Sequence, residues 1–172
     1  GFVGRVLLNA FNAWEYGWES DRAELKENSL KVFDSYLKNG FTEAGFFKEF
    51  VNLDRNFEEP VHSIRRQSEG IYAMLHFLAY EKEQGRRHSE WEQRMKKMLD
   101  MFMQLQNQDG SFPRKFRDDF SIVDKSGGST PSATLPLVMG YKYFIDKRYL
   151  DSAKMTAEYL DNELSSKADY FC

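Results

Sequence analysis

Two kinds of helical pattern alternate along the chain, and this alternation restricts the fold more than any other feature of the sequence. In residues 88–107, apolar side chains recur every three or four positions from Trp91 to Leu105, with charged residues between them. This spacing predicts an amphipathic helix with one face in water. Residues 62–84 lack a polar stripe beyond their first turns. We therefore expect that helix to be buried on most sides, with His76 packed in the core.

The same pair of patterns occurs three times, so the sequence predicts an all-α fold of helical hairpins. Each hairpin has a buried inner helix followed by an amphipathic outer helix. The links inside a hairpin are short and polar, whereas the links between hairpins, 41–61 and 108–130, are much longer. Long links in compact domains are commonly functional. The hairpins are expected at residues 1–40, 62–107 and 130–165 of a single domain, 1–172.

The links between hairpins begin with similar motifs. AGFF stands at 44–47, DGSF at 109–112 and ADYF at 168–171, an interval of about 60 residues that indicates a helical repeat. Gly45 and Gly110 suit a backbone with positive φ. Because the chain stops just after the third copy begins, we expect a fragment of a larger repeat protein. The alternative is a complete short α-solenoid.

Composition argues against several classes of partner and cofactor. The formal net charge is -3, so the chain has no basic field to attract nucleic acid, and we expect none as a partner. The chain has one cysteine, Cys172, and its three histidines lack the spacing of a zinc site, so neither a metal nor another cofactor is expected. No apolar run approaches the roughly 20 residues of a membrane span. The oligomeric state and the compartment are not determined.

A binding site is expected at one end of the molecule. If the inner helices run side by side in one direction, their N-termini and the long links meet there. Paired carboxylates can divide the acid and base roles, as they do in glycoside hydrolysis. Asp109 and Glu69 are the first candidates for catalysis. The polar set of this end also includes Glu58, Glu59, Arg65, Arg66, Arg114, Lys115, Asp118, Asp119, Ser129 and Thr130.

Arg65 and Arg66 are candidates for holding a carboxylate or hydroxyl group of a ligand. An ion pair with Glu69 inside the helix is the alternative explanation, since these residues are three and four positions apart. For the remaining candidates, capping, solvation or core packing is the alternative to a binding role. The predicted substrate-binding set is Arg65, Arg66, Glu58, Glu59, Phe112, Asp118, Asp119, Ser129 and Thr130.

Three segments of the sequence carry a family resemblance: LQNQDGSFP at 105–113, GGSTP at 127–131 and YLDSAK at 149–154. Together they resemble repeats of α/α-toroid proteins, and in particular the six-hairpin glycosidase-like proteins of polysaccharide-degrading bacteria. The resemblance covers residues 62–165 best. It implies part of an (α/α)6 toroid with alternating inner and outer helices, a carbohydrate partner, and a periplasmic or secreted location. No motif matches a family catalytic signature, so no site residue is carried over.

The sequence thus favours a carbohydrate-active enzyme of the glycoside hydrolase type, acting on a poly- or oligosaccharide by carboxylate acid/base chemistry. A non-catalytic helical-repeat module that binds a glycan or a protein is the main alternative. A terpene cyclase-like toroid is a third hypothesis. Such an enzyme needs an apolar cavity, and the polar residues in the long links argue against it.

Overall fold

The computed structural model describes residues 2–165, and six α-helices make up most of this part of the chain. The third copy of the link motif, at 168–171, lies outside the described residues. A π-helical segment, Leu160–Ser165, follows the last helix. The helices are α1 (Val3–Glu19), α2 (Ala23–Asn39), α3 (Ile64–Glu83), α4 (Ser89–Leu105), α5 (Thr130–Phe144) and α6 (Lys147–Tyr159).

The odd-numbered helices form an inner row, and the even-numbered helices pack outside it. α1 contacts α2 and α3, α3 contacts α5, and α5 contacts α6, while α4 lies against α3 and α5. This arrangement confirms the predicted all-α hairpins with alternating inner and outer helices. No helix in the described part of the chain is both long and apolar enough to span a bilayer. The stripe predicted for α4 is buried: Trp91, Met95, Met98, Leu99, Phe102 and Leu105.

The two long links contain short β-strands that the sequence pattern did not predict. In the first link, β1 (Val51–Asn52) pairs antiparallel with β2 (Phe57–Glu58). A three-stranded antiparallel sheet then joins the two links, in the order β3 (His62–Ser63), β4 (Lys115–Phe116) and β5 (Ile122–Asp124). A two-residue strand is too short to show alternating apolar and polar side chains in the sequence. It becomes visible only when its partner strand, distant in the chain, is seen paired with it. The sheet holds the second link against the start of α3.

Aromatic rings at the start of the links anchor them in the core. Phe46, Phe47, Phe112 and Phe116 are all fully buried. The rings of Phe46 and Phe116 meet edge to face, with centroids 4.9 Å apart, so one link packs directly on the other. Burying a phenylalanine side chain contributes about 1.5–3 kcal/mol. The links are therefore held in place by packing as well as by strands.

The turns that open the links have the backbone conformation expected from their glycines. Gly45 has φ 108° and Gly110 has φ 89°, a region that L side chains rarely adopt. At Gly110 a Cβ atom would also lie 2.1 Å from the carbonyl oxygen of Met155 on α6. Glycine at this position thus allows the second link to pass directly against an outer helix.

Candidate functional site

A cleft of about 410 Å³ opens where the inner helices α3 and α5 begin. The N-terminal turns of both helices, strand β4 and the 3-10 turn Gly127–Ser129 form its walls. Inner-helix N-termini and a long link therefore meet at this end. We call this site the basic cleft. Its polar lining consists of four cations, Arg65, Arg66, Arg114 and Lys115, and three serines, Ser63, Ser129 and Ser132.

A buried polar network fixes the position of Arg66. The Glu49 carboxylate accepts hydrogen bonds from Arg66 Nη1 at 2.8 Å, from the Ser63 backbone N–H at 3.1 Å and from Gln67 Nε2 at 3.3 Å. Gln67 in turn binds the backbone N–H and C=O of Phe47, at 3.0 and 2.8 Å. The anionic Glu49 also lies at the N-terminus of α3, where the helix dipole favours it. The network thus joins the first link to α3 behind the cleft.

An ion pair at the edge of the cleft holds Arg114. Its Nη1 atom lies 2.7 Å from Asp124 Oδ2. Hydrogen bonds from the Ser126 backbone N–H, from Arg114 and from the Ser126 hydroxyl lower the pKa of Asp124 to about 2. Lys115, the next cation, has no acidic partner among residues 2–165. Because no Asp or Glu lines the cleft itself, it presents positive charge in a chain of net charge -3.

A second feature begins at the cleft and runs along α3. Five side chains spaced three or four positions apart stay at least partly exposed on one face of this helix. We call this face the open stripe. The sequence pattern predicted a helix buried on most sides, because the aromatic and histidine side chains read as core residues. In the structure most of α3 is buried, as predicted, but Tyr72 and His76 are only partly buried and Tyr80 is exposed. The open stripe consists of Arg65, Glu69, Tyr72, His76 and Tyr80.

Glu69 lies between two arginines on the open stripe. Its Oε1 atom is 3.6 Å from Arg65 Nε, so the ion pair considered from the sequence is present. Its Oε2 atom is 3.9 Å from Arg5 Nε of α1. This Oε2 atom is buried and has no hydrogen-bond partner within the described residues. A buried carboxylate oxygen without a hydrogen-bond partner is unusual, and it marks Glu69 as a candidate for a functional role.

His76 lies in the middle of the open stripe between two aromatic rings. Its ring centroid is 4.4 Å from that of Tyr72 and 5.5 Å from that of Phe11. Burial lowers the pKa of His76 below 6.5, against the opposing charge of Glu15 and with the help of Lys142. The imidazole is therefore largely neutral at neutral pH and can accept a proton. The expectation of a core histidine is not met, because the side chain is half-buried.

Glu58 and Glu59 lie on the β1–β2 part of the first link and do not line the basic cleft. Glu58 forms an ion pair with Lys48 at 3.0 Å. Glu59 Oε1 accepts a hydrogen bond from the Val61 backbone N–H at 3.2 Å. Each carboxylate thus has a partner within its own link.

Asp118 and Asp119 lie in the turn between β4 and β5. Asp118 Oδ1 is 2.8 Å from Nε2 of buried His62 and accepts a hydrogen bond from the Thr42 hydroxyl at 2.9 Å. Hydrogen bonds from Ser121 lower the pKa of Asp119. Asp118 therefore connects the two links, whereas Asp119 stabilises its own turn.

Asp109 and Glu69 belong to different parts of the molecule. The Asp109 carboxylate accepts hydrogen bonds from the Ser111 backbone N–H at 3.0 Å and from its hydroxyl at 2.6 Å, and these lower its pKa. The turn that contains Asp109 packs on Met155 of α6, in the outer layer. Glu69 instead lies on the open stripe of an inner helix. The structure shows no contact between these two candidates for catalysis.

Phe112 and Thr130 are both fully buried. The Thr130 hydroxyl accepts a hydrogen bond from the Phe112 backbone N–H at 2.9 Å and donates to its carbonyl oxygen at 3.3 Å. These contacts attach the second link to the first turn of α5. The two residues support the cleft wall and do not line it.

Of the predicted binding residues, the basic cleft brings together Arg65, Arg66 and Ser129. The cleft also contains Arg114 and Lys115, which the sequence places in the polar set of this end without assigning them a role. Their place in the wall depends on the pairing of β4 with β3. In the described part of the chain, no group of three or more His, Cys, Asp or Glu side chains could hold a metal ion. The basic cleft contains groups that can bind an anion, and the open stripe contains groups that can transfer a proton.

Comparison with known proteins gives similarity in structure only. No protein-family model and no curated protein matches the sequence. A sugar epimerase from a ruminal bacterium matches 93% of this chain with a TM-score of 0.76 and 16% identity. A D-mannose isomerase matches 96% with the same TM-score and identity. The unsaturated glucuronyl hydrolase of Bacillus sp. GL1, which degrades glycosaminoglycan, matches 94% with a TM-score of 0.70 and 11% identity.

The match covers only part of each of these proteins. The chain spans 41% of the epimerase, 41% of the isomerase and 45% of the hydrolase. All three act on carbohydrates, and the match to each extends over both layers of helices described above. The chain therefore shares an α/α-hairpin fold with these three proteins, as its resemblance to α/α-toroid repeats implies.

Proposed function

We propose that this chain supplies sugar-binding and acid/base groups of a carbohydrate-active enzyme. The observation that carries the proposal is the open stripe, where Glu69 and His76 share one helix face with Tyr72 and Tyr80. Aromatic rings offer flat apolar surfaces against which sugar rings can pack. Carboxylate and imidazole groups on this face can move protons at a bound sugar. The carbohydrate-active enzymes that share the fold support this proposal.

Glycoside hydrolysis is the first form of the proposed reaction. Glu69 is the proposed acid/base group, because its side chain is partly exposed on the open stripe and one of its oxygens has no hydrogen-bond partner in the described chain. Hydrolysis requires a second carboxylate about 5–10 Å away. Asp109 stays the sequence-based candidate for that role, although its own hydrogen bonds lie within the outer-layer turn.

A sugar isomerase or epimerase is the second form, and His76 is the observation that favours it. Such enzymes remove a proton from a carbon next to a carbonyl group, and a neutral imidazole is a suitable base for this step. The lowered pKa of His76 keeps that form available at neutral pH. Two of the similar structures are a sugar epimerase and a mannose isomerase.

One experiment distinguishes the two forms. The whole protein is incubated in D2O with a panel of neutral and acidic oligosaccharides, and the products are followed by NMR. Hydrolysis produces new reducing ends, whereas isomerisation or epimerisation exchanges the proton at the carbon next to the carbonyl group for deuterium. Glu69→Gln should slow hydrolysis, or His76→Gln should slow exchange, by a factor of about 100 or more.

Glu90→Gln, an exposed carboxylate of the outer helix α4, is the matched control and should retain the wild-type rate. Unchanged rates in correctly folded Glu69→Gln and His76→Gln proteins would refute the assignment of the open stripe. Binding of a glycan without any turnover would instead favour the non-catalytic repeat module.

A further inference from the structure

We infer that the basic cleft binds an oxyanion group of an acidic saccharide, a carboxylate or a sulfate, and so selects acidic over neutral sugars. The saccharide part of this inference rests on the proposed function. The oxyanion part follows from the charges and geometry of the cleft alone.

The lining of the cleft is strongly one-sided in charge. Four cations converge on a volume of about 410 Å³, and no acidic side chain lines it. This volume falls within the range of about 300–1,000 Å³ that is common for small-molecule sites. The three arginines each pair with a carboxylate outside this lining, whereas Lys115 has no acidic partner among residues 2–165. A neutral sugar would leave Lys115 without a charged partner. A ligand that carries an oxyanion would pair with Lys115 and accept charge-assisted hydrogen bonds from the remaining arginine donors.

The arginines are held in place for this role. Arg66 is bound by buried Glu49 at 2.8 Å, and its guanidinium lies 3.8 Å from the centre of the Phe2 ring. Arg114 is bound by Asp124 at 2.7 Å. Because neither carboxylate lines the cleft, the fork-shaped guanidinium groups keep donors for a ligand. Little side-chain freedom is then lost on binding.

Two helix N-termini add to the positive potential. Ser63 and Ser129 occupy the N-cap positions of α3 and α5, and neither side chain makes a capping hydrogen bond. Their hydroxyl groups therefore remain available to a ligand in the cleft. The positive ends of both helix dipoles point to the same space. Serine hydroxyls and arginines together can bind the oxyanion and the neighbouring sugar hydroxyls.

Lys115 provides a clean test of the charge. It lines the cleft and lacks an acidic partner among residues 2–165, so replacing it leaves no carboxylate unpaired. Lys115→Met keeps the length of the side chain and removes the charge. Arg65→Gln is the second variant, because Arg65 is exposed and its ion pair is long, at 3.6 Å. Lys154→Met, at an exposed position of outer helix α6, is the matched control.

The experiment measures binding of matched oligosaccharides to the whole protein by calorimetry. One pair is an oligogalacturonate and its methyl ester, and the other is a sulfated galactan oligosaccharide and its desulfated form. We expect the charged member of one pair to bind about tenfold or more tightly, with a preference that weakens as salt is added. The pair that shows the preference identifies the oxyanion as carboxylate or sulfate.

Lys115→Met and Arg65→Gln should each weaken binding of the charged oligosaccharide about tenfold and leave the neutral one unchanged. Lys154→Met should bind both as the wild type does. Equal affinity for charged and neutral partners would overturn the inference, while turnover of a neutral sugar would leave the proposed function standing. A charged preference that both variants retain would place the anion outside the cleft and also overturn it. Loss of the preference in both variants, without turnover of any sugar, would support the inference and refute the proposed enzyme.

Discussion

Replacing Glu49 with alanine should destabilise the fold substantially. The carboxylate is 1% exposed and accepts three hydrogen bonds, at 2.8, 3.1 and 3.3 Å. Its removal leaves the Ser63 N–H and the Gln67 amide without this acceptor in the protein interior. Breaking a buried ion pair costs about 3–5 kcal/mol. The Arg66 side chain is 30% exposed, so water restores part of its solvation and we expect about 3–4 kcal/mol.

Urea unfolding followed by circular dichroism measures this loss. Glu49→Gln should cost less, about 1–2 kcal/mol, because the amide keeps one acceptor oxygen. Glu58→Gln is the control, since Glu58 forms an ion pair with Lys48 at 3.0 Å but is 41% exposed. Surface pairs of this kind contribute about 0–1 kcal/mol. If Glu49→Ala loses no more stability than Glu58→Gln, the buried network does not hold the first link on α3.

Three further outcomes are expected. Burial lowers the pKa of His76 in the folded protein below its value of about 6.5 in the unfolded chain. The stability that the neutral imidazole contributes is therefore present above the pKa of the unfolded chain and is lost as the pH falls through the pKa of the folded protein. Urea unfolding of His76→Gln should therefore depend less on pH than that of the wild type, and an equal dependence would contradict this assignment. Gly110→Ala should lower the free energy of unfolding by more than about 2 kcal/mol, because its Cβ would lie 2.1 Å from a backbone oxygen. Gly85 also has positive φ, but a Cβ there would meet nothing within 4 Å, so Gly85→Ala should lower it by only about 1 kcal/mol. Thermal unfolding of both variants tests this difference. The Asp124 carboxyl should titrate at about pH 2 by NMR, and Arg114→Gln should raise that pKa, since the arginine is one of its hydrogen-bond donors; a pKa that stays the same would show that the ion pair is not formed in solution.

Much of the helical architecture could be predicted because burial leaves a periodic trace in the sequence. The apolar stripe from Trp91 to Leu105 is entirely buried in α4. The same holds for the turns, since a backbone with positive φ selects glycine locally, as at Gly45 and Gly110. The phenylalanines of the links have no such unambiguous pattern. Aromatic residues suit both a sugar-binding surface and a core, and only packing showed that Phe112 belongs to the core.

The sequence predicts where the candidate site lies better than it predicts which residues form it. The sequence indicates Arg65 and Arg66 because charges in the first turns of an otherwise apolar helix need a partner. Their partners differ, however. Arg65 pairs with Glu69 four residues away, whereas Arg66 pairs with Glu49 from the preceding link. Helical spacing reports the first kind of pair and carries no information on the second.

The sequence by itself determined the alternation of inner and outer helices and the end of the molecule at which their long links gather, because side-chain burial and backbone conformation are read from local spacing. The tertiary structure alone decided which polar groups face a common space. Strand β4 places Lys115 opposite Ser63, although the two are far apart in the chain. The packing of α3 between α1 and α5 likewise leaves His76 partly exposed. Contacts between distant segments have no local signature, so a cleft built from them emerges only when the chain is folded.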